Sequence, residues 1–438
     1  MKTLKNNLLL KTGLIVLIAL LLLIPAVMIE NMIYERENTQ KEAVIEVSSK
    51  WSTQQTLTGP VLSIPYYHYI KQYSIKDSSE KIVQIKDYMH FLPDVLTIEG
   101  TLIPEKRYRG IYEVVVYNST IHFSGSFNTI DFKSYDIPEK DILFDKAFVS
   151  IGINDLRGIE KQVALNWNKE TVFFNPGTVT NDFISSGINA ETPIESNNPR
   201  AYEFSLDLNL KGSQLLHFVP VGKVTDLYLS SAWSNPSFNG AFLPDSRNVD
   251  ENGFEAHWNI LHLNRNFPQS WLGNSYSVQE AAFGVDLLLP VDNYQKATRT
   301  IKYAILFIAL TFMVFFFVEI LNKRFIHPIQ YILVGFALII FFSLLLAISE
   351  HIKFNLAYII SALATLVLVT GYVKAILKSN KLTLLISGIL IILYTFIFVI
   401  IQLQDYALLI GSIGLFIILG LVMYFSRKID WYTVGDDN

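Results

Sequence analysis

The sequence predicts a multi-pass α-helical membrane protein of six helices, one N-terminal and five C-terminal, around a large mainly-β extracytoplasmic domain built as one or two β-sandwiches. Three observations predict it. The chain has 438 residues, 51% hydrophobic and 13% aromatic, with a mean hydropathy of +0.33 that a soluble domain of this size rarely carries. Its most apolar residues gather into stretches of about 20, the length that crosses the hydrocarbon core of a bilayer. Between the first and second of these lies a long polar segment whose apolar residues alternate, as in strands with one buried face.

The first apolar stretch is 13–33, after a basic start at residues 1–12 that carries Lys2, Lys5 and Lys11. It is longer than a signal-peptide core and lacks a small-x-small site after Pro25, so an uncleaved signal anchor is expected. Five more spans are expected at 302–321, 329–348, 356–373, 382–401 and 406–425, with turns short enough to require antiparallel neighbours. Basic residues beside short loops stay on the cytoplasmic side. Lys2, Lys5 and Lys11, then Lys323 with Arg324, then Lys374, Lys378 and Lys381, then Arg427 with Lys428 all fall on that side if the N-terminus and the 426–438 tail are cytoplasmic. Lys296, Arg299 and Lys302 fall outside, beside a long translocated domain, where the charge rule is weak.

Residues 34–301 form the expected periplasmic domain. Its first part, Glu35 to Trp51, reads as a helix with Val44, Val47 and Trp51 on one face. Beyond Gly59 the period changes to two: Phe204, Leu206, Leu208 and Leu210 alternate with Ser205, Asp207, Asn209 and Lys211, and Phe283, Val285, Leu287 and Leu289 repeat the pattern. Clusters such as Asn175-Pro176-Gly177 and Asn197-Asn198-Pro199 supply turns. Short strands so separated predict sheets packed face to face. Phe148–Gly158 and Leu227–Gly240 stand as a candidate duplicated unit.

The chain has no cysteine, which excludes disulfides, thiolate metal sites, thiol catalysis and cysteine-linked lipid anchors. A net charge of -4 without a run of like charges gives no reason to expect nucleic acid. HExxH, phosphate-cradling glycine loops and GxSxG elbows are missing. His257 and His262 are separated by an odd number of positions, which turns them to opposite faces of a strand. No metal, cofactor or enzymatic activity is therefore expected.

Few residues are candidates for function. Glu319 is an acid inside an apolar span, where charge is costly; Lys323, four residues on, suggests an i,i+4 pair at the interface. Glu350 and His351 share an outer turn, as an acid–imidazole pair that shuttles protons or binds a cation, or, as the favoured reading, as a solvated turn or a contact that docks the β-domain onto the membrane bundle. His327-Pro328 would suit the same contact, with the proline opening the third helix. Asp155 and Arg157, before Gly158, form either a recognition turn or an ordinary tight turn, as do Asn235-Pro236 with Phe238.

Several ordered motifs resemble one family. They are Gly59-Pro60 with Ile64-Pro65, His90-Phe91-Leu92-Pro93, Arg109-Gly110-Ile111-Tyr112, Asp155-Leu156-Arg157-Gly158-Ile159, Pro236-Ser237-Phe238 leading to Gly240, Phe242-Leu243-Pro244, and Gly253-Phe254 with Trp258. The run from Lys302 to Met313, His327-Pro328 with Gln330-Tyr331, Leu333-Val334-Gly335, Ser349-Glu350-His351 and Ile429-Asp430-Trp431-Tyr432 continue the likeness along nearly the whole chain. The sequence is similar to the bacterial inner-membrane CreD family, the cell envelope integrity proteins. The resemblance implies a role in envelope integrity, tolerance of certain colicins when abundant, and control by a two-component stress regulon that touches β-lactam responses. It implies no catalytic or ligand residues.

The leading expectation is a non-catalytic protein, embedded in the lipid bilayer, whose β-domain senses, binds or shields a periplasmic or inner-membrane protein partner. A transporter or lipid-handling protein is the alternative, and would call for broken helices and polar residues at mid-membrane. A tethered hydrolase would need a nucleophile and base that the sequence does not reveal. Ligand and oligomeric state stay open.

Overall fold

A computed structural model describes residues 8–74, 79–128, 130, 132–195, 201–289, 293–322, 324–403 and 406–427. The chain divides into two compact units, Met1–Lys41 with Val291–Asn438, and Glu42–Pro290.

The first unit is helical. Helices α1 (Leu8–Leu21) and α2 (Leu23–Trp51) follow one another across a turn at Leu22. They are succeeded by α3 (Asn293–Lys302), α4 (Ala304–Leu321), α5 (Pro328–Ser349), α6 (Phe354–Leu377), α7 (Asn380–Gln402) and α8 (Ala407–Ser426). Among the described residues, six helical stretches are long and apolar enough to cross a membrane by length and composition, the first being Leu10–Trp51. A helix that is apolar all round closes its own backbone hydrogen bonds, which is what a lipid environment demands. The short α3 is different. It is amphipathic, burying Tyr294, Ala297 and Ile301, so part of the 34–301 segment is helical rather than β.

Aromatic rings fill the bundle. Phe307 lies 4.7 Å from Tyr394 and 5.7 Å from Phe341, centroid to centroid, and the Tyr358 hydroxyl donates to the Tyr394 carbonyl at 2.8 Å. Gly335 permits a close helix crossing: a Cβ there would lie 2.1 Å from Leu22 Cδ1 and 3.1 Å from Phe312 Cζ, so a small residue is required on α5. No residue of α8 is buried.

The second unit holds the end of α2 and two mixed sheets. Laterally, the first sheet runs Pro236–Gly240, Phe283–Leu287, Leu215–Val219, Gln55–Ser74, Phe148–Ile153, Gly187–Glu191 and Asn175–Pro176, with Ser79–Phe91 pairing to both Gln55–Ser74 and Ser270–Leu272. The second runs Ser246–Asp250, Gly253–Leu261, Val224–Ser231, Val95–Arg109, Tyr112–Phe127, Tyr202–Ser213, Ala164–Trp167 and Glu170–Phe173. Each sheet contains one parallel pairing, Gln55–Ser74 with Leu215–Val219 and Val224–Ser231 with Val95–Arg109. One continuous core joins them: Val61, Leu62, Phe218 and Phe283 of the first sheet, and Ile98, Phe123, Leu208 and Trp258 of the second, are all essentially inaccessible. This is a β-sandwich-like domain. Alternation does what it promised, with Phe204, Leu206, Leu208 and Leu210 on the buried face of Tyr202–Ser213.

The two segments of the candidate duplicated unit take different places in the fold. Phe148–Ile153 sits inside the first sheet, whereas Val224–Ser231 belongs to the second and Pro236–Gly240 to an edge of the first. Strand, turn and glycine recur locally without implying the same tertiary place. Asn197-Asn198-Pro199 lie outside the described residues.

Candidate functional site

Glu319 stands in the last turn of α4, only 9% exposed, and the cation that reaches it is Lys11 in the first turn of α1, 5% exposed. Lys11 Nζ pairs with Glu319 Oε1 and donates to the Ile326 carbonyl at 3.0 Å. The Ile326 amide donates back to Oε1 at 3.1 Å, and the Tyr331 hydroxyl donates to Oε2 at 3.1 Å. The ammonium also lies 4.1 Å from the centre of the Phe325 ring. Local sequence sets this geometry. Pro328 occupies the first turn of α5, His327 Nδ1 accepts from the Ile329 amide at 3.3 Å, and the Gln330 side chain accepts from the His327 amide at 3.0 Å. The helix start is thereby fixed, and with it the aim of Tyr331.

An ion pair taken from water survives only if its remaining hydrogen-bonding capacity is met; here both carboxylate oxygens have partners. The cluster therefore staples α1, α4 and α5 at one end of the bundle. Lys323, which local spacing would pair with Glu319, lies outside the described residues. Lys11 is 308 positions away from Glu319, beyond the reach of any local pattern.

Glu350 and His351 part company. Glu350 caps α5 with its side chain 13% exposed; it accepts from the Tyr294 hydroxyl at 3.2 Å, and Arg36 Nε lies 3.6 Å away. Beside it, Asn293 Nδ2 donates to the Ser349 carbonyl at 2.7 Å. These contacts gather the middle of α2, the start of α3 and the end of α5, while His351 is exposed.

Asp155 and Arg157 form a clasp in the β-domain. Arg157 Nε and Nη2 donate to the two Asp155 oxygens at 2.9 and 2.7 Å, and Nη1 donates to the Ser49 carbonyl at 2.5 Å near the end of α2. The Thr53 amide donates to Asp155 Oδ2 at 2.9 Å, and the Gln55 side chain bridges Asp155 and Lys211 carbonyls. A Cβ at Gly158 would lie 2.4 Å from the Lys211 carbonyl, so glycine lets the turn come this close. The Arg157 hydrogen bonds hold the Asp155 carboxyl well below the usual carboxylate range, aided by those from Thr53 and opposed by burial.

The sequence did not reveal a third linkage. The Ser63 Oγ and His90 Nδ1 lie 2.8 Å apart, and His90 Nε2 lies 3.0 Å from Asp182 Oδ2. The hydrogen bond from His90 lowers the Asp182 pKa against the pull of burial. With a carboxylate at Nε2, the proton belongs on that nitrogen and Nδ1 accepts from the Ser63 hydroxyl. These residue types are those of a hydrolytic triad, but Ser63 and His90 have no exposed surface. The ring is packed 4.9 Å from Phe183 and 5.4 Å from Trp271. A substrate has no path to Ser63 Oγ, so the chain of bonds serves to tie two strands to the Asp182 loop. Asp182 and Phe183 then line an open depression of about 780 Å³ together with Thr58, Tyr276 and Gln279. Among the described residues no group of three or more His, Cys, Asp or Glu is placed to hold a metal ion.

Comparison with solved structures returns an M1 zinc metallopeptidase from Deinococcus radiodurans, 8% identical over 44% of this chain and 42% of that one, with a TM-score of 0.20. A mutant of that peptidase bound to a Tyr-Ser-Ala substrate has a TM-score of 0.18, at 8% identity over 39% of each chain. Likenesses this slight carry no argument about fold or chemistry. Sequence comparison is decisive. The chain is 34% identical over 419 residues to the Inner membrane protein CreD of Escherichia coli (strain K12), covering 94% of this chain and 91% of that relative. The family profile described as "Inner membrane protein CreD" matches residues 7–432, and the chain belongs to that CreD family of inner-membrane proteins.

Proposed function

We propose that the protein is a non-enzymatic component of the inner membrane that supports cell-envelope integrity, with both termini cytoplasmic and the β-domain in the periplasm. One observation supports this above the rest: in each of the three clusters described above, the buried acid or imidazole is committed to partners within the cluster. Glu319 is bound to Lys11 and Tyr331, Asp155 to Arg157 and Thr53, and His90 to Ser63 and Asp182. A catalytic site keeps at least one such group open to substrate. What is left to act is the surface of the β-domain, in binding a periplasmic or inner-membrane partner. Colicin tolerance and two-component control follow from the same reading, as the family resemblance implies. Transport is a second reading, favoured by the charge pair buried among apolar helices.

Two experiments test these readings. The chain lacks native cysteine, so Ser246→Cys and Ser379→Cys report sidedness without background. A membrane-impermeant maleimide should label the first on intact spheroplasts and the second only after permeabilisation; the reverse pattern overturns the orientation. Cells lacking the protein should leak a periplasmic marker under detergent stress and be rescued by the full chain. A rescuing double variant, Lys11→Met with Glu319→Leu, would exclude proton- or ion-coupled transport through that pair.

A further inference from the structure

We infer that the outward face of the second sheet binds a neutral, polyhydroxylated glycan, with Tyr228 as the stacking platform. This rests on the reading of the β-domain as a binding domain and names the class of ligand. Cross-strand register sets Ser246, His257, Tyr228, Glu99, His122 and Asp207 side by side in one row across six strands. Alternation sends their neighbours, including Ile98, Ile121, Leu227 and Ala256, to the buried face. The flanking rows hold the same kinds of side chain: Glu255, Ser230, Thr101 and Thr120 on one side, and Asp226, Thr97 and Ser124 on the other.

A groove of about 800 Å³ lies over this face, within the size range of small-ligand sites. The arginine among its lining residues, Arg247, alternates to the other face of its strand, where its guanidinium lies 5.8 Å from the Phe238 ring. Lys and Arg do not occur in the three rows, so a phosphate-bearing ligand seated on them meets carboxylates.

Tyr228 is 46% exposed. Its ring stacks on His257, with centroids 4.2 Å apart and planes at 13°, and Tyr228 lines the groove. His257 is steadied by Asp226, 3.2 Å from Nε2, and Asp226 also accepts from Asn259 at 2.7 Å. Glu99 stands directly opposite Tyr228 in the register, and both Glu99 and Glu255 are exposed. A pyranose presents a C–H face to an aromatic ring and hydroxyls at its rim. Carboxylates accept strongly from those hydroxyls, while the serine, threonine and asparagine side chains lose little rotamer freedom on ordering.

The test titrates the full-length protein in nanodiscs with chitotetraose and cellotetraose, neutral probes with and without amide groups. Saturable binding of at least one is expected, weakened about tenfold or more by Tyr228→Ala, severalfold by Glu99→Gln, and little by Tyr228→Phe. Far-UV circular dichroism confirms that each variant is folded. Failure of both sugars to bind, or binding indifferent to Tyr228→Ala, overturns the assignment. So does salt-sensitive binding of a trilysine peptide lost with Glu99→Gln while neither sugar binds, which would mark a site for cationic peptides. Wild-type rescue of the envelope defect without sugar binding would leave the envelope role standing and remove the glycan. Failure of wild-type rescue would remove the envelope role whatever the sugars do.

Discussion

Lys11–Glu319 in the helical unit and Arg157–Asp155 in the β-domain are the same chemistry in two surroundings. In the first pair the side chains are 6% and 11% exposed, so neither charge can turn to water when its partner is removed. In the second, Asp155 is 8% exposed but Arg157 is 61% exposed, and the guanidinium can rehydrate. Asp155 also keeps the Thr53 amide and hydroxyl as donors. The difference teaches that a buried pair is judged by what its survivor would face. Lys11–Glu319 is an obligatory couple, while Arg157–Asp155 is a clasp whose loss is partly absorbed.

The largest effects should come from splitting the obligatory couple. Lys11→Met or Glu319→Leu alone should cost roughly 3–5 kcal/mol, the usual penalty for stranding a buried charge, read as a fall in the unfolding midpoint of the detergent-solubilised protein. The two together should recover most of that loss, because an apolar replacement strands no charge. Single variants as mild as a surface substitution would break the comparison.

Splitting the clasp should cost less. Asp155→Ala should lower stability by about 1–3 kcal/mol, as expected for charge-assisted hydrogen bonds lost at a partly wet site. Its pH dependence has a definite sign. The folded-state pKa of Asp155 is lowered, chiefly by Arg157, so its contribution is full above the unfolded carboxylate value of about 3.9. It is then lost as pH falls through the folded-state pKa. Asp155→Asn should flatten the acid limb of the stability profile, and an unchanged limb would mean that other carboxylates govern it.

What the sequence revealed and what it hid divide along the same physical line. Six apolar stretches and the alternation of Phe204 to Leu210 were legible because length and period are local properties of a chain. Helix α3 carried a local signal too, with Tyr294, Ala297 and Ile301 at helical spacing, but its basic residues read as the end of the periplasmic domain. Lys11–Glu319 and the Ser63–His90–Asp182 chain join segments whose nearness depends on the finished fold. The row from Ser246 to Asp207 was hidden for the same reason. Six single residues from six strands align only when the register of five pairings is known.

The Ser63–His90–Asp182 chain sharpens the comparison with a neutral case. Ser63→Ala removes the hydroxyl that faces His90 Nδ1 and leaves that nitrogen buried without a donor, which should cost about 1–3 kcal/mol in thermal unfolding. Ser63→Thr keeps a hydroxyl but adds a methyl group where no space is exposed, so it should rescue only part of the loss.

The smallest effect is expected at Glu350, where a half-wet pair meets a neutral donor. Arg36 is 50% exposed and its Nε is 3.6 Å from the carboxylate, a separation and a setting in which an ion pair contributes at most about 1 kcal/mol. The Tyr294 hydroxyl at 3.2 Å needs only an acceptor, and the amide oxygen of Glu350→Gln supplies one. That variant should therefore unfold within roughly 0.5 kcal/mol of the parent, while Glu350→Ala, which removes the acceptor of this hydrogen bond, should cost more. If the two variants were equally destabilised, the charge rather than the hydrogen bond would be what Glu350 contributes, and this pair would move toward the obligatory couple at Glu319.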